Sequence, residues 1–178
     1  MLTVDPVVSW IAALAIALLF AAAALHKLRD WSRFSGILAD YRLLPPALLT
    51  PGAALIVLLE VATVALLVAP AWRPVGGLLA GTLLVVYAVG IAINLRRGRT
   101  TLDCGCVSAG HRRRIDRSMV VRNLLLAALM VLVVVPPTAR GLTPLDLLTV
   151  AGVTIVVVLL YLTIDTLAAV TPQRSGAQ

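Results

Sequence analysis

Residues 47–69 read ALLTPGAALIVLLEVATVALLVA, a long apolar stretch that contains a single charged residue, Glu60. A helix needs about 20 apolar residues to cross a hydrocarbon core of about 30 Å, so this stretch is long enough to span a bilayer. Backbone amides in lipid must form hydrogen bonds within their own segment, which favours a helix even where Val residues recur. The stretch therefore predicts an integral membrane protein.

Four further apolar stretches accompany this one, at residues 7–25, 75–95, 119–135 and 147–164. Together they predict an all-α integral membrane fold, a bundle of about five transmembrane helices. We expect one transmembrane domain over residues 1–170 and a disordered tail over residues 171–178.

The composition agrees with a lipid environment. Of the 178 residues, 61% are hydrophobic and 13% are charged, whereas soluble domains are about half apolar and a quarter charged. The formal net charge is +7, but the basic residues fall between the apolar stretches and form no continuous basic face. They are typical of topology determinants and contacts to anionic lipid headgroups, and we expect no nucleic-acid partner.

The distribution of the basic residues predicts the orientation of the chain. With five spans, 13 of the 15 Lys and Arg residues fall on one side, and only Arg73 and Arg140 fall on the other. Basic residues that flank membrane helices stay in the cytoplasm. We therefore predict a multi-pass protein of the plasma (inner) membrane, with an external N-terminus and with a cytoplasmic C-terminus and Arg96–Ser118 loop.

The connection between the first two spans, residues 26–46, has apolar side chains at helical spacing and charged side chains between them. This pattern predicts an amphipathic helix in the headgroup plane, with Trp31 and Tyr41 as interfacial anchors. The Pro45-Pro46 pair ends it, because proline cannot continue the helical hydrogen bonds.

The chain has two cysteines, Cys104 and Cys106, separated by Gly105 in the arginine-rich third connection. A disulfide across one glycine departs from relaxed geometry and is easily reduced, and nearby cations favour the reactive thiolate, although Asp103 opposes this. A redox pair is the first interpretation. Metal binding by Cys104, Cys106 and His111 is a weaker alternative, because zinc sites have wider cysteine spacing, and two inert thiols are the third.

Glu60 is the second candidate. A carboxylate near the middle of a membrane helix is costly and usually faces the bundle interior. It is a possible proton relay for thiol chemistry or a contact for a quinone, or else a buried polar contact that fixes helix packing. His26, Arg122 and Asn123 are possible partners. The first interpretation of His26 and Lys27 is that they anchor the first helix at the interface, and that of Arg122 is that its side chain extends to the headgroups.

Several of these residues together resemble the methylamine utilisation protein MauE family, part of a wider DoxX-like group of membrane proteins. The resemblance rests on Glu60, on Asp103-Cys104-Gly105-Cys106 and on the stretches Ala24-Leu25-His26-Lys27-Leu28-Arg29-Asp30, Phe34 and Ala39-Asp40-Tyr41-Arg42-Leu43-Leu44-Pro45. It covers the chain from the first span to the fourth. Val107 departs from the pattern, because the family usually has an aromatic residue there.

The resemblance implies a four-helix core and a role in a thiol–disulfide system that matures a partner, as MauE proteins are associated with the disulfide-rich small subunit of methylamine dehydrogenase. It also implies a thioredoxin-like partner protein. The charge distribution predicts that the cysteines lie inside the cell, whereas the pathway that the resemblance implies oxidises an exported protein. Three explanations stay open: a re-entrant loop, electron transfer across the bilayer, and a cytoplasmic thiol system. The alternative is a non-catalytic subunit that anchors a redox partner at the membrane.

Overall fold

A computed structural model describes residues 3–100, 102 and 115–170, with side chains as far as Ile164. The described residues form helices and no sheet. The helices are α1 (Pro6–Arg29), α2 (Trp31–Tyr41), a 3-10 turn (Pro46–Leu48), α3 (Leu49–Val68), α4 (Arg73–Arg96), α5 (Arg117–Leu129), α6 (Val131–Val134) and α7 (Pro144–Val170).

Five segments within the described residues are long and apolar enough to cross a membrane: α1, the 3-10 turn with α3, α4, α5 with α6, and α7. This confirms the predicted all-α membrane fold. The predicted fourth span is not one continuous helix, because a turn at Met130 separates α5 from α6. The amides of Val133 and Val134 both donate to the Met130 carbonyl, at 3.0 Å and 3.1 Å, which tightens the chain there.

The helix ends follow from local chemistry. Asp5 caps α1 by accepting a hydrogen bond from the Val7 amide at 2.8 Å, and Pro6 occupies the first helical position, where a missing N–H costs nothing. Asp116 caps α5 in the same way through the Met119 amide at 3.1 Å. These caps fix where two of the spans begin.

A four-helix core is built from α1, α3, α4 and the α5–α6 segment, and α7 packs on the outside of α1. The centre of the core contains Ile16 and Phe20 of α1, Leu67 of α3, Leu84 of α4 and Met130. Large apolar side chains cover the outer surface, such as Leu58, 64% exposed, and Leu125, 66% exposed. Such a surface is suited to lipid and not to water.

The amphipathic helix α2 lies against α3. Phe34 is buried there with Ala53 and Val57, and Trp31 and Leu38 pack beside them. Asp30 joins α1 to α2: its amide donates to the His26 carbonyl, and its carboxylate accepts from the Arg33 amide at 3.0 Å. The helix α2 is therefore fixed to the bundle by its own apolar face.

At the opposite end of the bundle, hydrogen bonds and an ion pair join the N-terminal segment to the connection before α7. The Thr138 amide donates to the Val4 carbonyl at 2.9 Å. The Arg140 guanidinium lies between Asp5 and Asp146, and its shortest contacts to the two carboxylates are 3.0 Å and 2.9 Å. The Arg140 guanidinium, followed by the Val7 amide, lowers the pKa of Asp5 below its ordinary value.

Candidate functional site

Three polar side chains from three different helices meet inside the membrane bundle. Lys27 of α1 and Tyr87 of α4 both donate to the same oxygen, Oε1, of Glu60 on α3, the tyrosine hydroxyl at 2.7 Å. Glu60 is fully buried and Lys27 is 8% exposed. We call these residues the Lys27–Glu60–Tyr87 cluster.

The cluster corrects the sequence-based interpretation of Lys27. Its side chain is not an interfacial anchor; it turns inward and forms an ion pair with Glu60. The ammonium nitrogen lies 5.3 Å from the ring centroids of both Phe34 and Tyr87, a distance at which cations and aromatic rings attract each other. The expectation that Glu60 faces the bundle interior is correct. Its two hydrogen-bond partners, Lys27 and Tyr87, were not predicted from the sequence.

The second carboxylate oxygen of Glu60, Oε2, is buried and accepts no hydrogen bond from the described residues. Glu60 lines a cleft of about 100 Å³ that also contains Arg122 and Asn123 of α5. Two of the three partners suggested by the sequence thus share a cleft with Glu60, while His26 does not line it. Arg122 also lies over the Tyr161 ring of α7, 5.6 Å from its centroid.

A second cavity lies on the other side of the cluster, between α2, α3 and α4. It has a volume of about 150 Å³, and Lys27 and Tyr87 line it as they line the first. The cluster therefore separates two cavities with mainly apolar walls. In such surroundings a carboxylate and an ammonium interact strongly.

Cys104, Cys106 and His111 lie outside the described residues, so the redox pair and the metal alternative stay predictions. The described residues on either side of them are joined: the Ile115 amide donates to the Leu102 carbonyl at 3.1 Å. In the part of the chain that the structure describes, no three His, Cys, Asp or Glu side chains come together as metal ligands.

The junction of Leu102 and Ile115 packs onto the bundle at the same end as the cluster. Ile115 and Met119 are buried against Ile91 of α4, and Tyr41 and Leu102 pack beside them. Nearby, the Arg99 guanidinium donates to the Asn94 side chain at 3.2 Å, and that of Arg97 to the Arg42 carbonyl at 3.4 Å. Leu102 and Ile115, the described residues on either side of the cysteine segment, therefore lie on the bundle at an end that also has Arg97 and Arg99.

These features define a multi-pass α-helical membrane protein with a four-helix core and a buried Lys–Glu–Tyr cluster. The family model described as "Methylamine utilisation protein MauE" matches residues 5–136. The chain belongs to the MauE family.

Curated relatives support the assignment over most of the chain. Methylamine utilization protein MauE of Methylophilus methylotrophus is 37% identical over 163 residues, which are 90% of this chain and 86% of the relative. The protein of the same name from Paracoccus denitrificans is 40% identical over 71% of this chain and 68% of its own length, and that of Methylorubrum extorquens is 37% identical over 82% and 79%. No solved structure has significant similarity to the chain.

Proposed function

We propose that this protein is the membrane component of a thiol–disulfide system that forms disulfides in a partner protein, with Cys104 and Cys106 as the redox pair. In this reaction the two partner thiols lose two electrons and two protons to the Cys104–Cys106 disulfide. The partner gains a disulfide and the membrane protein becomes a dithiol. The proposal extends to methylamine utilisation, the process named in the curated relatives.

The position of the junction between Leu102 and Ile115 carries this proposal. Cys104 follows Leu102 by only two residues, and Leu102 packs beside Tyr41 and Ile91, which also line the cavity that reaches Lys27 and Tyr87. The two protons that leave the partner thiols must reach the sulfur atoms of Cys104 and Cys106. Glu60, whose carboxylate accepts hydrogen bonds from Lys27 and Tyr87 at this cavity, is the proposed relay for them.

The basic surface around the junction favours the same chemistry. Arg97 and Arg99 follow α4, and Arg117 begins α5. Cations near a thiol favour the thiolate, which is the species that attacks a disulfide. They also attract an acidic partner, in accordance with electrostatic complementarity at interfaces.

Trapping of the thiols in native membranes tests the redox role. Cells are quenched in acid, and the full chain is labelled with a maleimide mass tag before or after reduction. We expect two tags only after reduction in the wild type, and a mixed disulfide with a partner when Cys104→Ser or Cys106→Ser leaves one thiol. Ser108→Ala is the matched control in the same segment and should behave as wild type.

Permanently reduced thiols under all growth conditions, together with no mixed disulfide in either single variant, would refute the redox role. Growth on methylamine separates the anchoring alternative from it. In a Paracoccus denitrificans strain that lacks its own MauE, the wild-type chain should restore growth and the Cys104→Ser variant should not. Equal growth with both would favour a non-catalytic anchoring subunit.

A further inference from the structure

The cavity between α2, α3 and α4 is large enough for one six-membered ring. Its volume is about 150 Å³, and an apolar protein cavity of about that volume is known to hold a benzene molecule. Its walls are almost entirely aliphatic and aromatic, and its polar groups are Lys27, Tyr87 and Tyr41. The walls thus suit a flat apolar group, and the Lys27 ammonium suits an oxygen atom on it.

The cavity opens toward the hydrocarbon of the bilayer. Val86, 56% exposed, and Leu43, 39% exposed, are among the residues that line it. Val86 precedes the end of α4 at Arg96 by ten residues, which is about 15 Å along a helix. The opening is therefore within reach of a lipid-soluble molecule.

Lys27 supplies a hydrogen-bond donor inside this cavity. An ammonium group has three N–H donors, and among the described residues Lys27 forms a hydrogen bond only to Glu60. The other two N–H groups form no hydrogen bond with the residues that the structure describes, and the Phe34 and Tyr87 rings beside the ammonium are weaker acceptors than an oxygen atom of a ligand. A plain acyl chain would fill the apolar space but would leave these donors without an acceptor, which is costly in a buried site.

The same cavity adjoins the root of the cysteine segment through Tyr41 and Ile91. If the chain oxidises a partner, as proposed above, its own dithiol must afterwards pass two electrons to an acceptor. An acceptor that diffuses in the bilayer and carries oxygen atoms on a ring fits the cavity, its opening and its donor.

We propose that this cavity binds the ring of a membrane quinone, which reoxidises the Cys104–Cys106 dithiol; the redox half of this inference rests on the proposed function. Two S–H bonds break and one S–S bond forms, and the two electrons and two protons convert the quinone into its hydroquinone. Lys27 hydrogen-bonds a carbonyl oxygen of the quinone and stabilises the negative charge that develops there.

Binding is tested without the thiols, so that its failure is distinct from failure of the redox proposal. The full Cys104→Ser/Cys106→Ser chain, purified free of quinone, is titrated with a benzoquinone that carries a ten-carbon alkyl chain. Trp31 is the reporter, because its ring lies 6.1 Å from that of Phe34, which lines the cavity. We expect saturable quenching that Trp31→Phe abolishes and Trp72→Phe, on the other end of the bundle, preserves.

A competitor and a pair of variants test where the ring binds. A decylbenzene, which has the chain and the ring without oxygens, should compete at least tenfold more weakly. Gly90→Leu should weaken quinone binding at least tenfold, because Gly90 lines the cavity and a Cβ there points at Leu43. Gly81→Ala on the same helix faces α5 instead and should leave binding unchanged.

Equal competition by decylbenzene would show that the cavity accepts any apolar chain and would overturn the inference, as would the absence of saturable quenching in the chain without cysteines. The redox arm follows reduction of the quinone by its absorbance. The wild-type dithiol should reduce it, and the chain without cysteines should not. Binding without thiol-dependent reduction would refute reoxidation of the dithiol by the quinone and leave the binding site standing, while thiol trapping decides the proposed function separately.

Discussion

At the scale of single residues, the pairing of Lys27 with Glu60 holds two charged groups inside the bundle. Removing two charges from water costs several kcal/mol for each ion, and only the mutual attraction and the surrounding hydrogen bonds offset that cost. Here the Tyr87 hydroxyl adds a hydrogen bond to the same carboxylate oxygen. Because the three side chains belong to α1, α3 and α4, the cluster also determines how three spans are aligned.

We expect Lys27→Met and Glu60→Gln each to destabilise the bundle by about 3–5 kcal/mol, because each leaves its partner buried without a counter-charge. The double variant should lose less than the sum of the two single losses. Unfolding in mixed micelles by titration with a denaturing detergent gives the three free energies.

Thr82→Ala is the matched control for the comparison of the two single variants with the double variant. The Thr82 hydroxyl is exposed and donates only to its own helix, at 2.8 Å from the Leu78 carbonyl, so the change should stay within about 0.5 kcal/mol. Strictly additive losses for Lys27→Met and Glu60→Gln would show that the two residues do not stabilise each other.

The sequence identified only part of this cluster. Glu60 is conspicuous, because a lone carboxylate in an apolar stretch must find a partner. Lys27 is not, because it stands next to His26 and Arg29 at a helix end, where an anchoring role is the usual explanation. Tyr87 is a single aromatic residue in an apolar span, and nothing in its position along the chain relates it to a carboxylate 27 residues earlier.

At the scale of the helices, close approach depends on small residues at particular positions. Gly76, in the first turns of α4, lies against the end of α3: a Cβ there would lie 2.7 Å from the Leu67 amide nitrogen and 2.8 Å from the Leu66 carbonyl carbon. Backbone atoms cannot move aside as the end of a side chain can. The short connection between α3 and α4 therefore requires glycine at this position.

Gly76→Ala is expected to destabilise the protein by about 1–3 kcal/mol, the usual cost of overpacking a well-packed contact. Gly81→Ala is the matched substitution in the same helix, and its Cβ would meet its nearest neighbour at 3.7 Å, an ordinary contact. Thermal unfolding in detergent should lower the Tm of the first variant and leave that of the second unchanged or raised. Equal Tm values would show that α3 and α4 separate without cost.

The fastening of the N-terminal segment gives a prediction for pH. Because Arg140 lowers the pKa of Asp5 in the folded state, the carboxylate contributes stability above its unfolded pKa of about 3.9, and this contribution is lost as the pH falls through the lower folded value. Wild type should therefore exceed Asp5→Asn in Tm at pH 6, and the difference should shrink at pH 3.

Asp40→Asn, at an exposed position on α2, is the control. Its difference in Tm from wild type should not shrink between pH 6 and pH 3. A Tm difference between wild type and Asp5→Asn that is constant from pH 6 to pH 3 would show that the contact with Arg140 does not depend on the ionisation of Asp5.

The spans themselves were predictable from the sequence, since length and hydropathy decide whether a segment crosses a bilayer. The break at Met130 was not, because Met130 to Val135 form a continuous apolar run with neither proline nor glycine to mark a turn. The packing of α2 on α3 was not predictable either: an apolar helix face has the same pattern whether lipid or protein covers it.

At the scale of the whole molecule, charge is distributed unequally between the two ends of the bundle. Arg73 and Arg140 belong to one end, and both are engaged there: Arg73 stacks on Trp10, 3.6 Å from its ring centroid, and Arg140 bridges two carboxylates. The other basic residues that the structure describes belong to the opposite end. This asymmetry supports the predicted orientation, which the packing of the helices leaves undecided.

We expect the end with Arg140 to face outward and the end with α2 to face the cytoplasm. In the Cys104→Ser/Cys106→Ser chain, single cysteines introduced as Thr138→Cys and Ser32→Cys, both at exposed positions, report on the two ends. An impermeant maleimide should label intact cells that carry the first variant and only permeabilised cells that carry the second. The reverse pattern would invert the topology.

The hydrogen bond between Ile115 and Leu102 also has a consequence for protein engineering. Residues 103–114 are inserted between two positions that are already bonded to each other, so the helices on either side are aligned without them. We expect a graft of the corresponding twelve residues from another family member between Leu102 and Ile115 to leave the recipient's melting temperature unchanged.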